Sequence, residues 1–352
     1  MNPVKLGVIG CGVIGSRHVA AAAASPHIEL TAVADLRSDV AHSIAAQYGV
    51  GTVYGPAEEL LADPAIEAVV LAMPAHIRTE LALKAFAQGK HVLTEKPVAM
   101  NANEVRQLLA AKGDRVAACC SSRYHFLTAT KTVTDFLATA PLGQVRLVRC
   151  RAIVPASRPN PNPPPWRLNR SLNAGGIMSN WGCYDLDYLF GITGWRIQPQ
   201  RVLAQTWTTP AKLSHYAGPG SDAETHVAAL IRCAEGITIS YERAEFVAAQ
   251  ADLAWEIIGE EGSLRLQMTP APGKTHQYFQ ADATLGTLAG TLCRADEDHG
   301  SVHEGPVNDF ARAIRSGNAP QTDLQRALVI QAVTDAIYAS ATSGDAVTVE
   351  TQ

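Results

Sequence analysis

Three glycines near the start of the chain have the spacing that holds the phosphates of a dinucleotide. They lie in the segment G-C-G-V-I-G at positions 10–15, between a short apolar run and a segment of helical period. In this pattern the first glycine permits a tight turn, the second lets the backbone approach a pyrophosphate, and the third lets the helix press on the strand. The helix N-terminus adds N–H donors and a positive dipole end. The residues predicted to bind the dinucleotide here are Gly10, Gly12, Val13, Ile14 and Gly15.

An acidic residue, Asp35, stands at the end of the second predicted strand, about twenty residues beyond Gly15. A carboxylate at this place accepts hydrogen bonds from the adenosine ribose hydroxyls and repels a 2′-phosphate, which favours NAD. Arg37 follows closely, and its guanidinium could meet a 2′-phosphate, so NADP stays open as the alternative.

Lys96 follows the fifth predicted strand, in the sequence Glu95-Lys96-Pro97, where a catalytic residue could lie. Open α/β sheets bind ligands in the crevice at the carboxyl ends of their strands, which is where Lys96 would lie. Its cation can polarise an alcohol or carbonyl oxygen while charge develops during hydride transfer. We therefore expect Lys96 to act in the chemistry and Glu95 to orient its neighbours.

The composition excludes several classes of protein. The 352 residues are 47% hydrophobic and 18% charged, which suits folded domains, and the length suits two of them. The net charge of −4 does not gather in blocks, so we expect no nucleic-acid or membrane partner. No apolar run of about 18 residues and no signal sequence is found. The seven cysteines lack a C-x-x-C pair, so a cytoplasmic protein with reduced thiols is expected.

The first 121 residues alternate short apolar runs with helix-period segments, as βαβ units do. The expected strands are Val4–Gly10, Ile28–Asp35, a weak strand near Val53, Ala68–Ala72, His91–Thr94 and Val116–Cys120. Asn101 and Glu104 have the spacing of a capping box at the start of a helix. Residues 1–121 are therefore predicted to form a doubly wound parallel sheet that binds the cofactor.

Residues 122–352 are predicted to form a second domain with an open, mostly antiparallel sheet. Six prolines between positions 155 and 165 indicate an exposed loop. The expected strands are Arg201–Thr208, His226–Cys233, Ile237–Arg243, Leu253–Ile258 and Ser263–Met268, and the expected closing helices are Val307–Arg315 and Leu324–Ser340. These helices could also pack back on the first domain. The acidic stretch at 296–300 lacks regular ligand spacing, so no metal site is predicted.

The run G-K-H-V-L-T-E-K-P at 89–97 resembles the Gfo/Idh/MocA family of oxidoreductases. Similar matches occur at Met73-Pro74-Ala75-His76, Arg123-Tyr124, Trp166-Arg167, Ala174-Gly175-Gly176 and in the region Phe310–Gly344. The resemblance implies a Rossmann domain, an α/β domain with an open antiparallel sheet, and hydride transfer between a nicotinamide and a sugar or cyclitol alcohol. It places Met73, Pro74, His76, Glu95 and Lys96 with the cofactor, and Lys96, Arg123, Tyr124 and Arg167 with the substrate. It also implies a homodimer or homotetramer, in which a second subunit covers the open sheet.

The chain departs from the family pattern at the acid/base positions. The family commonly carries G-G-G-x-x-x-D-x-G-x-H, whereas here Asn180 replaces the aspartate and Tyr184 replaces the histidine. The two side chains share one face if the segment is an α-helix. A tyrosine, with an ordinary pKa of about 10, needs a cation to accept a proton near neutrality. Our hypothesis is that Lys96 lowers the pKa of Tyr184, that Tyr184 takes the substrate proton, and that Asn180 binds substrate and orients either the substrate or Tyr184.

Three functions follow from these residues. The first is an NAD-dependent dehydrogenase acting on a sugar, sugar derivative or cyclitol. The second is a redox-neutral enzyme that retains NAD and cleaves a glycosidic bond, and the third is a sugar or NAD sensor in which the loss of the usual acid/base marks a loss of activity. The sequence leaves these alternatives open.

Overall fold

The computed structural model describes residues 2–351, which form two compact units. The first unit runs to Arg123 and takes in Gly300–Leu328, and the second comprises Tyr124–His299 and the chain from Val329 onward. The change of unit comes after Arg123 rather than after the expected residue 121. The segment Gly300–Leu328, which we placed in the second domain while leaving open that the closing helices pack back on the first, belongs to the first unit because Val307, Phe310 and Ala311 join its buried core.

The first unit contains six strands and the helices that connect them. The strands are β1 (Val4–Ile9), β2 (Ile28–Ala34), β3 (Thr52–Tyr54), β4 (Ala68–Leu71), β5 (His91–Thr94) and β6 (Ala117–Cys119). The helices are α1 (Val13–Ala24), α2 (Ser38–Tyr48), α3 (Ala57–Ala62), α4 (Ala75–Ala87), α5 (Ala102–Ala111) and, late in the chain, α9 (Glu304–Ser316). The predicted cap of α5 is confirmed, since the Asn101 side chain accepts from the backbone N–H of Glu104.

The sheet of the first unit is parallel with strand order β3-β2-β1-β4-β5-β6, which confirms the predicted doubly wound fold. Its central strands are almost wholly apolar because helices cover both faces. The strand order reverses between β1 and β4, where Val8 lies opposite Val33 on one side and Val70 on the other. Such a reversal opens a crevice at the carboxyl ends of the strands.

The second unit is built around a larger sheet. Its strands are β7 (Val145–Pro155), β8 (Pro199–Trp207), β9 (His226–Cys233), β10 (Thr238–Val247), β11 (Asp252–Gly259), β12 (Gly262–Leu266), β13 (Lys274–Asp282), β14 (Gly286–Ala295) and β15 (Val347–Thr348). Three helices, α6 (Thr128–Ala138), α7 (Arg170–Asn173) and α8 (Cys183–Ile192), precede β8, and α10 (Leu324–Ser343) precedes β15. Among residues 2–351 no helix has the length and apolar character needed to cross a bilayer.

The strand order of this sheet is β14-β13-β12-β11-β7-β10-β9-β8-β15, and among the strand pairs that the structure describes here only β7–β10 is parallel. The predicted open, mostly antiparallel sheet is therefore confirmed. Sequence analysis missed β7, although it is a central strand, because arginines interrupt its apolar pattern. Arg149 and Arg151 point to the open face of the sheet, where they pair with Glu256 and Asp252.

A buried ion pair anchors α8 to the sheet of the second unit. Asp185 is fully buried, and its carboxylate accepts hydrogen bonds from Arg243 Nε at 2.5 Å and Arg243 Nη2 at 2.9 Å. Tyr241 Oη and Trp255 Nε1 each donate to it at 3.0 Å. The donors come from β10 and β11, so the carboxylate ties one helix to two strands.

We predict that Asp185→Asn lowers the free energy of unfolding by about 3–5 kcal/mol, because the Arg243 guanidinium would stay buried without its counter-ion. Glu260→Gln is the control, since it removes a charge from the exposed pair with Arg146. Urea unfolding followed by tryptophan fluorescence measures both changes. Equal, small losses for the two variants would contradict the prediction.

Candidate active site

The glycine motif forms an open phosphate cradle between β1 and α1. Gly10 has φ +90°, and a Cβ added to Gly15 would lie 1.7 Å from the Gly10 carbonyl oxygen, so α1 presses on the end of the strand. The first turn of α1 has neither a capping side chain nor an acidic residue, which leaves its N–H groups available to an anion. A Cβ added to Gly12 would meet only Arg37 Nη2, at 3.9 Å. The cradle therefore fits a pyrophosphate.

Asp35 lies beside this cradle. Its carboxylate accepts from the backbone N–H of Cys11 at 2.8 Å and of Arg37 at 2.9 Å, which fixes its orientation and leaves lone pairs for ribose hydroxyls. Arg37 Nε is 3.6 Å from Asp35 Oδ1, and the Arg37 side chain is 64% exposed. Burial, with the Asp35 charge, raises the pKa of Cys11 to about 11, so this thiol stays protonated.

The segment from Met73 to His76 lies at the neighbouring strand end. A Cβ added to Gly10 would lie 3.4 Å from the Met73 nitrogen, so this backbone borders the cradle. Pro74 is the N-cap of α4, and His76 in its first turn is exposed. These positions suit the cofactor contacts that the sequence predicts for them.

Glu95 is a buried hub that holds the peptide of Lys96. Its carboxylate accepts from His18 Nε2 at 2.8 Å, from Arg123 Nη2 at 2.9 Å and from the Lys96 N–H at 3.0 Å. The carbonyl oxygen of Glu95 accepts a further hydrogen bond from Arg78 Nη1. Burial alone would raise the pKa of this carboxyl, but Arg123 and His18 hold it well below its usual range. Glu95 is therefore an ionised orienting group, and the Lys96–Pro97 bond that follows is cis.

Arg123 was expected to bind substrate, but the structure gives its guanidinium another partner. The side chain is 8% exposed and pairs with Glu95 within the first unit. Tyr124, the next residue, is buried in the second unit with its ring 5.3 Å from that of Tyr184 and inclined at 74°. Tyr124 thus supports the ring that the sequence assigns to the chemistry.

Asn180 and Tyr184 lie at a change of helical geometry. Residues Met178–Gly182 form a π-helical turn that leads into α8, so the two side chains are not related by the regular α-helical step that the sequence predicted. Such turns are wider than an α-helical turn and are frequent at functional sites. The Tyr184 ring is buried and also packs edge-on against Trp181 at 5.6 Å.

The Asn180 amide is bonded to the loop before it. Its Nδ2 donates to the carbonyl oxygens of Arg167 at 3.0 Å and Gly176 at 2.9 Å, while its Oδ1 accepts from Asn173 Nδ2 at 3.2 Å. Both amide protons are thus used inside the second unit. Only the Oδ1 atom retains a free lone pair for a substrate hydroxyl.

Glu224 binds the glycine pair that precedes this turn. Its buried carboxylate accepts from the N–H groups of Gly176 at 3.0 Å and Met178 at 3.1 Å and from Tyr338 Oη at 2.9 Å. A Cβ added to Gly176 would lie 1.8 Å from the Glu224 carbonyl oxygen, and one added to Gly175 would lie 1.9 Å from Tyr338 Oη. Only glycine permits this approach, and burial raises the pKa of Glu224.

Arg167 and His125 also have partners within the second unit. Arg167 Nη2 donates to Glu245 Oε2 at 2.6 Å, and the guanidinium lies over the Phe246 ring at 5.9 Å. His125 Nε2 is 2.7 Å from Asp187 Oδ1. Arg167 is a quarter exposed, with 24% of its side chain accessible, and so remains a candidate for contact with substrate.

Several residues of the site were missed by sequence analysis, chiefly His18, Glu224 and Tyr338. The only sequence signal of His18 is a histidine within the otherwise alanine-rich α1. Glu224 had no sequence signal, because an acidic residue just before a strand usually faces solvent. These residues come from positions distant in the chain, so only folding brings them to the motifs.

His18, Glu95 and Cys120 place ligand-type atoms within 4.8 Å of one another. Their chemistry does not suit a metal. Burial raises the pKa of the Cys120 thiol well above its usual range, and Arg123 already compensates the charge of Glu95. We assign the cluster to hydrogen bonding.

The family models match both halves of the chain. The oxidoreductase family model of the NAD-binding Rossmann fold, Gfo/Idh/MocA, matches residues 4–119, and that of the Gfo/Idh/MocA C-terminal domain matches residues 130–265. The chain belongs to the Gfo/Idh/MocA family. It is a nicotinamide-dependent oxidoreductase, which confirms the predicted family, enzyme class and NAD cofactor.

Similar proteins include two enzymes of known activity. The chain is 26% identical to the 1,5-anhydro-D-fructose reductase of Ensifer adhaerens, with 99% of both chains covered. It is 27% identical to D-xylose 1-dehydrogenase (NADP(+)) 2 of Haloferax volcanii, with 98% of this chain and 99% of that one covered. The structure of levoglucosan dehydrogenase with NADH and levoglucosan has the same fold, with a TM-score of 0.86 at 22% identity over 99% of this chain and 100% of that one.

We predict that Asp35→Ser shifts binding preference from NADH towards NADPH by at least about tenfold, because it removes the charge that repels a 2′-phosphate and leaves the Arg37 guanidinium. Fluorescence titration with each reduced cofactor measures the two dissociation constants. In the double variant Asp35→Ser/Arg37→Ala, the gain in affinity for NADPH should be lost. Glu29→Ser changes an exposed acid of β2, the strand that ends just before Asp35, so it is the control and should leave the preference unchanged.

Proposed function

We propose that this protein transfers hydride between NAD and the hydroxyl-bearing carbon of a sugar, sugar derivative or cyclitol. The observation that carries the proposal is the lysine anchored by Glu95 in the same unit as an open phosphate cradle. The sugar reductase and sugar dehydrogenase activities of the relatives support this substrate class. In this proposal the first unit binds the cofactor and the second unit recognises the substrate.

The residues divide the chemistry between them. A bound nicotinamide would supply the hydride acceptor. Lys96 places a cation at the substrate oxygen, which favours loss of the hydroxyl proton. Tyr184, as the phenolate, accepts that proton while the C–H bond breaks and the hydride leaves, and the alcohol becomes a carbonyl. Asn180 Oδ1, Tyr124 and Arg167 serve to position the hydroxyls of the substrate.

We also propose a homodimer or homotetramer in the cytoplasm, with no nucleic-acid or membrane partner. Leu203 and Leu230 are cross-strand partners that are 50% and 49% exposed, and Trp207 on β8 is 46% exposed. Arg149, Glu256 and Arg265 form ion pairs on the same sheet. An apolar surface with paired charges suits contact with a second copy. All seven cysteines are free thiols, which supports a reducing compartment.

We predict that Leu230→Glu converts the assembly to monomers, because two like charges would meet or be buried in the contact. Light scattering after size-exclusion chromatography measures the mass. Leu285→Glu, at another exposed apolar residue, serves as the control and should not change it. A wild-type chain that is already monomeric at micromolar concentration would contradict the proposed assembly.

The catalytic assignment is tested by incubating the protein with NAD and a panel of sugars, cyclitols and aryl glycosides, while absorbance at 340 nm and aglycone release are recorded. NADH formation supports the proposal. Aglycone release without NADH would indicate the redox-neutral enzyme, and NAD binding without either product would indicate a sensor.

With the best substrate, we predict that Tyr184→Phe and Lys96→Met each lower kcat by about 100-fold or more, because each removes a group that acts in proton transfer. The NAD dissociation constant should change little for Tyr184→Phe. Tyr216→Phe is the matched control, because it deletes a hydroxyl whose one hydrogen bond among residues 2–351 is to the Ser157 carbonyl oxygen, in the same unit. Full turnover by Tyr184→Phe would defeat its assignment as the proton acceptor.

A further inference from the structure

We propose that His18 is a positioning residue for Lys96, acting through the Glu95 carboxylate. The inference rests on the proposed function and adds a residue that no sequence motif pointed to. His18 lies in α1, just after the phosphate cradle, and its side chain is fully buried. Its Nε2 atom is 2.8 Å from Glu95 Oε1.

The hydrogen-bonding chemistry defines the proton on this histidine. Glu95 is ionised, so its carboxylate can only accept, and Nε2 of His18 must carry the hydrogen. The Nδ1 atom of His18 has no hydrogen-bond partner within the described residues, and neither has Nδ1 of His303. The two rings meet edge to face with centroids 5.3 Å apart, and burial with nearby cations lowers the pKa of His303 to about 3. His18 therefore packs against a neutral ring.

A buried histidine at this position leaves its Nδ1 atom without a hydrogen bond to any of residues 2–351, which is unfavourable. A leucine or methionine would fill the same space without leaving a buried nitrogen unsatisfied. What histidine adds is the Nε2–H donor to Glu95. Arg123 shares the Oε1 atom with His18, and the Lys96 N–H binds Oε2, so removing the His18 bond would leave Oε1 held by Arg123 alone and the carboxylate less firmly oriented.

The consequence reaches Lys96 by two routes. The Lys96 N–H is bonded to Glu95 Oε2 at 3.0 Å, so the carboxylate fixes the peptide from which the lysine side chain starts. The Lys96 cation also interacts electrostatically with the Glu95 charge. A carboxylate held in one orientation therefore gives the lysine one position and one electrostatic environment, as a site for hydride transfer requires.

The test compares His18→Leu with His18→Gln, because the glutamine amide can replace the Nε2–H donor. We expect His18→Leu to lower kcat at least about tenfold, with the NAD dissociation constant within about threefold of wild type, and His18→Gln to restore most of the loss. Cys120→Ala is the matched control. The Cys120 Sγ atom lies 3.8 Å from His18 Nε2 in the same cluster but does not bind Glu95, so kcat should stay within about twofold.

A second readout does not need turnover. The lysines are reductively methylated with ¹³C-formaldehyde, and the Lys96 signal, assigned with Lys96→Arg, is titrated by NMR. The titration midpoint of Lys96 should shift in His18→Leu and return in His18→Gln. If the wild type forms no NADH, the proposed function fails while this readout still tests His18. The inference would be overturned if His18→Leu left both kcat and the Lys96 titration midpoint unchanged. It would also be overturned if His18→Gln failed to restore kcat although its melting temperature equals that of the wild type.

Discussion

Buried carboxylates that need compensation are the constraint on which both halves of this protein depend. A carboxylate removed from water is very unfavourable unless donors and cations surround it. Glu95 meets this need with a histidine, an arginine and a backbone N–H drawn from different elements of the first unit. Each donor must hold its place for the charge to remain buried. The requirement therefore ties α1 and the end of β6 to the loop that carries Lys96.

The second unit contains the buried carboxylates of Asp185 and Glu224, which are compensated in the same way. Asp185 is compensated by Arg243 and two ring donors, which hold α8 on the sheet. Glu224 is compensated chiefly by the N–H groups of the glycine pair and by Tyr338, which hold the start of the π-helical turn. The segment with Asn180 and Tyr184 is thus fixed at both ends. Rigid supports of this kind set a catalytic group more precisely than a solvent-exposed loop could.

Both units also use glycines to bring two backbone segments into close contact. Gly15 lets α1 lie against the Gly10 carbonyl, and Gly176 lets the site loop lie against the Glu224 carbonyl. Any side chain would occupy the space of the neighbouring backbone. The two glycine motifs of the sequence thus have the same physical origin, although the first leaves the N–H groups of α1 without a capping side chain and the second has its N–H groups bound by a buried acid.

The sequence by itself determined the elements whose signal is local: the glycine cradle, the acid Asp35 at a strand end, the strand before Lys96, and the family. Each of these signals lies in short stretches of consecutive residues, so the spacing and periodicity of the sequence reveal it. Only the tertiary structure decided that Arg123 compensates Glu95, that the Asn180 amide holds its own loop, and which of the two units the helix after β14 joins. These outcomes depend on which side chains, distant in the sequence, pack together in the interior. A local sequence pattern does not predict which donor will compensate a buried charge.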